Sequence, residues 1–359
     1  MTPLKISIVL PFPVTKPVGG AKIMYEYANR LCEKGHQVAI YHSIKRPFKK
    51  SKTPVQIKQA IFFFRGVARP KWFQLHKNII SKIVPEISDK YLQNADIVFS
   101  TWWQMAYAIN SLSASKGKKF NLIQDYENWG GHEAELTDSF KLPINHLVIS
   151  RYLQKLVEEK SGKKPVHLPN AIDTEKFSGP QKSEAAGKDP LSIIMLYSEE
   201  PRKGTADGLD ALKPVQQKYP ELKAVLFGVY PAPADLPVWI KYYQKPADLN
   251  DLYSKSAIFL SPSLAEGWAL PPAEAMACGC AVVCTDIGGH ADYAVHGKTA
   301  LLVQPENIND MAEKIIMLID NPDLLHKIAA GGYKLITSNF SWNKSLEILE
   351  NSFYNSLKN

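Results

Sequence analysis

The stretch from Phe259 to Thr285, FLSPSLAEGWALPPAEAMACGCAVVCT, restricts the fold more than any other part of the chain. The apolar run Ala257–Leu260 reads as a buried strand. Ser261-Pro262-Ser263 and Glu266-Gly267-Trp268 read as a loop, and Pro271-Pro272 stand where a helix can begin. Ala273–Ala277 is helical in composition, Gly279 stops the helix, and Ala281–Cys284 is a second β-rich run. The unit is therefore strand, loop, helix, strand. A loop at the carboxyl end of a parallel strand, leading into a helix N-terminus, is where α/β proteins hold anionic ligands. The backbone N–H groups of Gly267, Trp268, Ala269 and Leu270 suit a diphosphate, and Glu274 suits two vicinal hydroxyls such as a ribose presents. An ordinary structural reading stands beside this one. A glutamate in a first helical turn is favoured by roughly 0.3–1 kcal/mol with no ligand at all.

The rest of the chain repeats the same alternation. Lys5–Leu10 reads as a first buried strand, Gly19-Gly20 as a loop, Ala21–Lys34 as a helix with Ile23, Tyr27 and Leu31 on one face, and Val38–Tyr41 as a second strand. Two glycines allow close approach of the backbone to a ligand. The spacing is not G-x-G-x-x-G, so no dinucleotide cofactor is indicated. Ala95–Ser100 and Lys119–Ile123 read as strands, followed by Thr101-Trp102-Trp103 and by Gln124-Asp125-Tyr126-Glu127-Asn128-Trp129-Gly130-Gly131-His132. Such polar and aromatic loops suit sugar hydroxyls and ring stacking, or are surface turns. His146–Ser150 is a short strand and Arg151–Lys160 an amphipathic helix. The Ser, Gly, Pro, Lys and Glu-rich segment Phe177–Asp189 reads as a linker between two domains. Beyond it, Ser192–Leu196, Lys223–Phe227, Ile240–Tyr243 and Ala300–Val303 read as strands. Thr205–Tyr219, Leu249–Lys255, Glu306–Asp320, Pro322–Ser338 and Ser341–Leu357 read as helices.

Charge is uneven. From Lys45 to Lys90 there are twelve Lys or Arg against Glu86 and Asp89, while the whole chain carries a net +8. Aromatic and aliphatic clusters (Ile61-Phe62-Phe63-Phe64, Trp72-Phe73, Ile79-Ile80) interleave with these cations. The combination suits an anionic membrane surface or a lipid-linked substrate, nucleic acid in principle, or a solvated face over core aromatics. No stretch reaches the ~20 apolar residues of a membrane span. Ile6–Leu10 is too short for a secretory signal, so a cytoplasmic location is expected. Cys32, Cys278, Cys280 and Cys284 contain no C-x-x-C pair and read as buried free thiols.

Glu266 and Glu274 resemble the E-x7-E signature of retaining glycosyltransferases, and EGWALPPAEAMACGCAVV is similar to the wording of glycosyltransferase family 4 (group 1). PVGGAKIMYEYANRLCEKGHQVAIY resembles the opening of those enzymes, and Pro169-Asn170-Ala171-Ile172-Asp173 their PNGID segment, with Ala171 where glycine is usual. The resemblance implies the GT-B fold: two Rossmann-like, doubly wound α/β domains facing a central cleft, with a last helix crossing back to the first domain. It implies an acceptor-side domain of residues 1–175 plus 341–359 and a donor-side domain of 176–340. It also implies a nucleotide-diphosphate sugar as donor, a hexose or deoxyhexose as the group moved, and a glycan or lipid-linked acceptor, as in bacterial surface polysaccharide synthesis. No metal, cofactor or nucleic-acid partner is implied. The residues carried over as donor-binding are Gly19, Gly20, Arg202, Lys203, Gly228, Glu266, Gly267, Trp268, Ala269, Leu270 and Glu274. Glu266, Asp125 and Lys203 are carried over as catalytic, and Trp102, Tyr126 and His132 fall on the acceptor side. Relatives usually carry an arginine at the position of Ser198, which Arg202 is expected to replace, although adjacent residues on one element point apart. Gln124-Asp125 stands where many relatives have His-Asp, and QDYE resembles a subset that includes rhamnosyltransferases. Peripheral contact with the inner face of a membrane through 45–90 fits this picture. A GT-B phosphorylase and a non-catalytic sugar-nucleotide-binding or membrane-associated scaffold are the alternatives.

Overall fold

The expected alternation of strands and helices is realised as two parallel β-sheets, each wrapped by helices, in a computed structural model that describes residues 2–49, 53–128, 131–178 and 187–358. The chain divides into one unit of Met1–Asn170 with Ser345–Asn359 and a second of Ala171–Lys344. The linker expected at Phe177–Asp189 lies largely outside the described residues, at 179–186.

In unit 1 the elements are β1 (Lys5–Leu10), α1 (Gly19–Glu33), β2 (Gln37–Ser43), α2 (Val55–Phe64), β3 (Ile80–Val84), β4 (Ile97–Thr101), α3 (Trp103–Asn110), β5 (Lys118–Ile123), α4 (Glu133–Ser139), β6 (Asn145–Val148), α5 (Arg151–Ser161) and β7 (Val166–His167). Their sheet has the order β3-β2-β1-β4-β5-β6-β7. Its central strands are buried on both faces and so read in sequence as continuous apolar runs. The reversal of strand order falls between β1 and β4, the place where an open α/β sheet offers a crevice at its carboxyl edge. Helix α1 starts two residues earlier than expected, so Gly19 and Gly20 form its first turn. Val18 provides no side-chain cap there, which leaves first-turn N–H groups outside the helical ladder.

Unit 2 contains β8 (Ser192–Leu196), α6 (Thr205–Lys218), β9 (Lys223–Gly228), β10 (Ile240–Gln244), α7 (Leu249–Lys255), β11 (Ile258–Ser261), α8 (Leu270–Ala277), β12 (Ala281–Thr285), β13 (Ala300–Val303), α9 (Ile308–Asp320) and α10 (Pro322–Asn339). The sheet order is β10-β9-β8-β11-β12-β13. Ile193, Met195, Leu226, Leu260 and Val283 of the strands pack with Leu212, Ile315 and Ile328 of the helices into one core. The cysteines of this unit are buried and free. Burial pushes the Cys280 thiol up, and its Sγ lies 3.1 Å from the Tyr253 carbonyl. The Lys188 ammonium donates to the carbonyls of Tyr253, Ser256 and Cys278 at 3.1, 2.9 and 2.8 Å, satisfying the carboxyl ends of α7 and α8 together.

Helix α11 (Trp342–Lys358) follows α10, and from Ser345 onward it is part of unit 1. Phe353 is fully buried, with its ring centroid 5.7 Å from Phe99 and 4.8 Å from Phe120. Glu350 accepts from His36 Nε2 at 3.0 Å, while His36 Nδ1 accepts the Leu4 N–H at 3.0 Å. Lys34 adds an ion pair to Glu350 at 3.2 Å. Phe353→Ala is expected to destabilise unit 1 by about 3–5 kcal/mol, the cost of emptying a buried phenylalanine site. A lowered midpoint in urea denaturation checks it, and an unchanged midpoint would show that α11 contributes no core.

Candidate active site

In unit 2 the polypeptide after β8 makes a short 3₁₀ turn, Pro201–Lys203, before α6. Gly204 follows at φ 61°, and a Cβ there would lie 2.1 Å from the Pro262 carbonyl oxygen. The turn is thereby pressed against the loop that follows β11, and Leu264 N–H donates to Arg202 O at 2.7 Å. Arg202 and Lys203 do not point apart as neighbours on a regular element would. Both heads reach Glu266, with Lys203 Nζ 2.7 Å from Oε1 and Arg202 Nη1 3.8 Å from Oε2. Ser263 Oγ donates to the same Oε1 at 2.9 Å. The positive charge ahead of α6 is therefore balanced within the chain, and Glu200 adds a second carboxylate on Arg202 Nε at 3.1 Å. Ser198 takes no part in this cluster. Its N–H donates to Thr205 Oγ1 at 3.1 Å and its carbonyl accepts from that hydroxyl at 2.8 Å, which fixes the start of α6.

Glu266 is also held from the other side. A Cβ on Gly289 would lie 2.4 Å from both the Cβ and the carbonyl oxygen of Glu266, so only glycine admits this contact. Ala269 N–H, expected to face a diphosphate, donates instead to Gly289 O at 3.3 Å. The indole of Trp268, whose backbone N–H is the group expected at the donor, is buried at 5% exposure against Tyr293 (4.9 Å) and Phe340 (5.5 Å). Helix α8 opens with Leu270, Pro271 and Pro272, and the prolines contribute no N–H. His290, which no sequence signal marks, lies under this loop, with Nδ1 donating to Thr285 O at 2.8 Å and Nε2 accepting from Ser261 Oγ at 3.2 Å. Burial lowers its pKa, so it is neutral at pH 7. A small cavity beneath the loop is lined by Leu196, Lys203, Phe259, Ser261, Glu266 and Pro272.

Glu274, one turn into α8, is buried at 6% exposure and accepts from Tyr253 Oη at 3.3 Å. Burial, and then the charge of Glu274, raise the Tyr253 phenol well above its ordinary value. Gly228 ends β9, where a Cβ would lie 2.5 Å from Tyr197 O. Its carbonyl accepts from Lys245 N–H at 2.7 Å.

In unit 1 Gln124 joins the ends of β4 and β5 to the first turn of α1. Its Nε2 donates to Gly20 O at 3.0 Å and to Thr101 Oγ1 at 2.9 Å. The residue standing where relatives have histidine thus anchors the first turn of α1. Trp102 has φ 74° and ψ 136°, a costly backbone for a non-glycine residue, and its ring lies 5.4 Å from Phe12. Trp103, Tyr107 and His132 surround Phe48, at centroid distances of 5.1, 5.0 and 6.2 Å. Tyr126 Oη donates to Glu133 at 2.6 Å, and Lys160 lies over its ring at 5.2 Å. Asp125 Oδ1 accepts the Tyr126 N–H at 2.9 Å. Trp129 and Gly130 of this loop lie outside the described residues.

The ring contacts of Phe12 with Trp102 and of Phe48 with Trp103 were not legible in the sequence, because Phe12, Phe48 and the Trp pair follow three different strands. The state of Glu127 was not legible either. Glu127 Oε2 accepts the Trp103 N–H at 3.2 Å, in a cavity walled by Trp102, Trp103, Ile123, Leu136 and Phe140. Burial, assisted by the nearby Asp125 charge, pushes Glu127 up to about 8. Among the described residues no group of three or more His, Cys, Asp or Glu is placed to hold a metal ion.

Residues 180–335 match the family described as glycosyl transferases group 1. The chain is 36% identical over 90 residues to an uncharacterized glycosyltransferase of Methanocaldococcus jannaschii, covering 25% of each protein. It is 30% identical over 221 residues to the trehalose synthase of Thermococcus litoralis, covering 53% of each. It thus spans a quarter to about half of the length of these curated relatives. Among solved structures it is similar to Anabaena Alr3699/HepE in complex with UDP-glucose, with TM-score 0.72 and 15% identity over 97% of this chain and 99% of that one. At that identity the likeness is one of fold, and the fold is GT-B.

Two measurements check this geometry. Gly289→Ala is expected to cost about 1–3 kcal/mol by overpacking and to move Glu266 away from Lys203. A lower melting temperature and a crystal structure of the variant read both effects; an unshifted Glu266 would refute the assigned contact. For Glu127, a folded pKa above the unfolded value near 4.5 means that the folded state holds the proton more tightly. Its contribution is present below the unfolded value and is lost as pH rises through about 8. Glu127→Gln should therefore match the wild type near pH 5 and melt higher near pH 9, by on the order of 2–4 °C for each kcal/mol relieved. A gap that does not widen with pH would contradict the burial of this carboxyl.

Proposed function

We propose that this chain, whose residues 180–335 belong to the group 1 glycosyl transferases, is an enzyme that moves a hexose or deoxyhexose from a nucleotide-diphosphate sugar to a glycan, with retention of anomeric configuration. The observation that carries this reading is the convergence of Lys203, Arg202 and Ser263 on Glu266 at the carboxyl ends of β8 and β11. A nucleotide-diphosphate sugar places its leaving group, its reacting carbon and its hydroxyls within a few ångströms of one another. A carboxylate fixed between two cations matches that charge pattern. The solved structure with UDP-glucose shows that a chain of this fold binds such a donor.

In this reading Lys203 and Arg202 stabilise the charge that builds on the diphosphate as the glycosyl bond breaks. The backbone of Gly267 and Leu270 adds neutral donors. Glu266 orients the donor sugar, and Glu274 accepts from the ribose hydroxyls. Asp125 with the Trp102, Tyr126 and His132 surroundings receives the acceptor, whose sugar faces stack on rings. The departing phosphate takes the acceptor proton on the face it leaves, so no nucleophile–base pair is required and positioning carries the rate. The cations do the work that a metal does in other transferases, so no metal or cofactor enters this reading. Surface polysaccharide or lipid-linked glycan is the acceptor class, and the basic window of residues 45–90 brings the enzyme to an anionic membrane.

A thermal-shift screen against UDP-, GDP-, dTDP- and ADP-sugars tests the donor. Saturation at about 100 Kd adds roughly 2.7 kcal/mol of stability. Glu274→Gln, which keeps the shape of the side chain, is expected to lose that shift and more than about 99% of the turnover, a loss of about 2.7 kcal/mol at the transition state. A variant that keeps both would overturn the ribose assignment. An inverted anomer in the product, read by NMR, would overturn retention.

A further inference from the structure

Helix α2 (Val55–Phe64) presents its apolar stripe to solvent. No residue of this helix is buried. The half-buried positions are Val55, Lys58, Gln59 and Phe62, the inner face of a 3.6-residue period. The outer face carries Ile57, Ile61 and Phe64, exposed at 52, 40 and 86%, with Phe63 beside them at 78%. An ordinary surface helix has the opposite arrangement, with its apolar stripe on the core and its cations outward. Phe63 and Phe64 stack edge to face on each other, with centroids 5.9 Å apart.

The surroundings identify what covers this stripe. Exposed Lys49, Arg65, Lys71, Lys77 and Lys82 belong to the window that holds twelve cations against two acids. Both acids have partners, since Glu86 pairs with Lys45 at 3.1 Å and Asp89 accepts the Ser113 N–H at 3.0 Å. An exposed apolar stripe of two phenylalanines and two isoleucines within a strongly basic segment complements a bilayer whose surface is anionic and whose interior is apolar. It does not complement a protein surface of ordinary composition, which would need matched acids across the whole window. Among the described residues no helix is long and apolar enough to cross a membrane, so the contact is one of partial insertion.

We propose that α2 is the membrane-insertion element of this chain. It lies in the headgroup region of an anionic bilayer, with Ile57, Ile61, Phe63 and Phe64 among the acyl chains and the basic window on the phosphates. This rests on the reading that residues 45–90 face a membrane, and adds that apolar insertion by one helix holds the chain there. The test is co-sedimentation of the full chain with phosphatidylcholine vesicles, with and without phosphatidylglycerol. Wild type and Phe63→Ser/Phe64→Ser are compared at salt from about 0.1 to about 1 M, where the screening length falls from about 10 to about 3 Å. Because the two rings are 78 and 86% exposed, the double variant should melt like the wild type. It should partition onto anionic vesicles about tenfold less or weaker still, a loss of about 1.4 kcal/mol, and a residue of wild-type binding should survive high salt. If the wild type binds but the double variant binds equally, insertion is overturned and the electrostatic reading of the window stands. If the wild type does not bind anionic vesicles at all, both fall. A wild type that sediments as a dimer while the double variant is monomeric would assign the stripe to a second copy and also overturn the proposal.

Discussion

The Glu266 carboxylate, held at 2.7 Å by Lys203 and at 2.9 Å by Ser263, is the contact on which the rest of unit 2's carboxyl edge depends. It ties the turn after β8 to the loop after β11, two segments that share no strand. The side chains involved are largely withdrawn from water, at 17 and 9% exposure. A pair so placed gives up hydration to gain attraction, and its net contribution to stability is small. What it supplies is position. The left-handed Gly204 sets the 3₁₀ turn against Pro262, and Gly289 packs against the backbone and Cβ of Glu266, whose carboxylate reaches the lysine. The chain's own contacts thus hold the turn and the loop in one arrangement.

Unit 1 arranges its carboxyl edge by different physics. Its aromatic rings stand beside the buried Glu127, with the charged Asp125 nearby. Burial holds His42 near 4, so the ring stays uncharged beside Tyr25, and burial acts in the opposite direction on the Glu127 carboxyl. The charged edge of unit 2 suits a partner that carries its own anions.

The α/β alternation was legible because strands buried on both faces are continuous apolar runs and their loops carry glycine and proline. The missed elements have local reasons. β3 is an edge strand whose Ser81 and Lys82 break the apolar run, as edge strands commonly do to avoid pairing. α2 inverts the expected helical pattern, so its period points the wrong way for a core. α3 begins directly after the positive φ of Trp102, which no propensity anticipates. At the site, the acids and the Gly-Gly turn could be read from wording and spacing. The burial of the Trp268 indole, the protonation of Glu127 and the convergence of Arg202 and Lys203 could not, because each depends on contacts between segments distant in sequence.

Tyr354 Oη donates to Thr2 O at 2.7 Å, a contact that spans almost the whole chain. Together with Phe353 and Glu350 it makes the last residues part of the first unit. During synthesis on a ribosome, unit 2 is therefore translated and free to fold while unit 1 still lacks its closing helix. Unit 1 must wait with the pocket around Phe99 and Phe120 open, an apolar surface that a holding chaperone recognises. Synthesis of α11, and not emergence of β1, sets the moment at which unit 1 can complete its core.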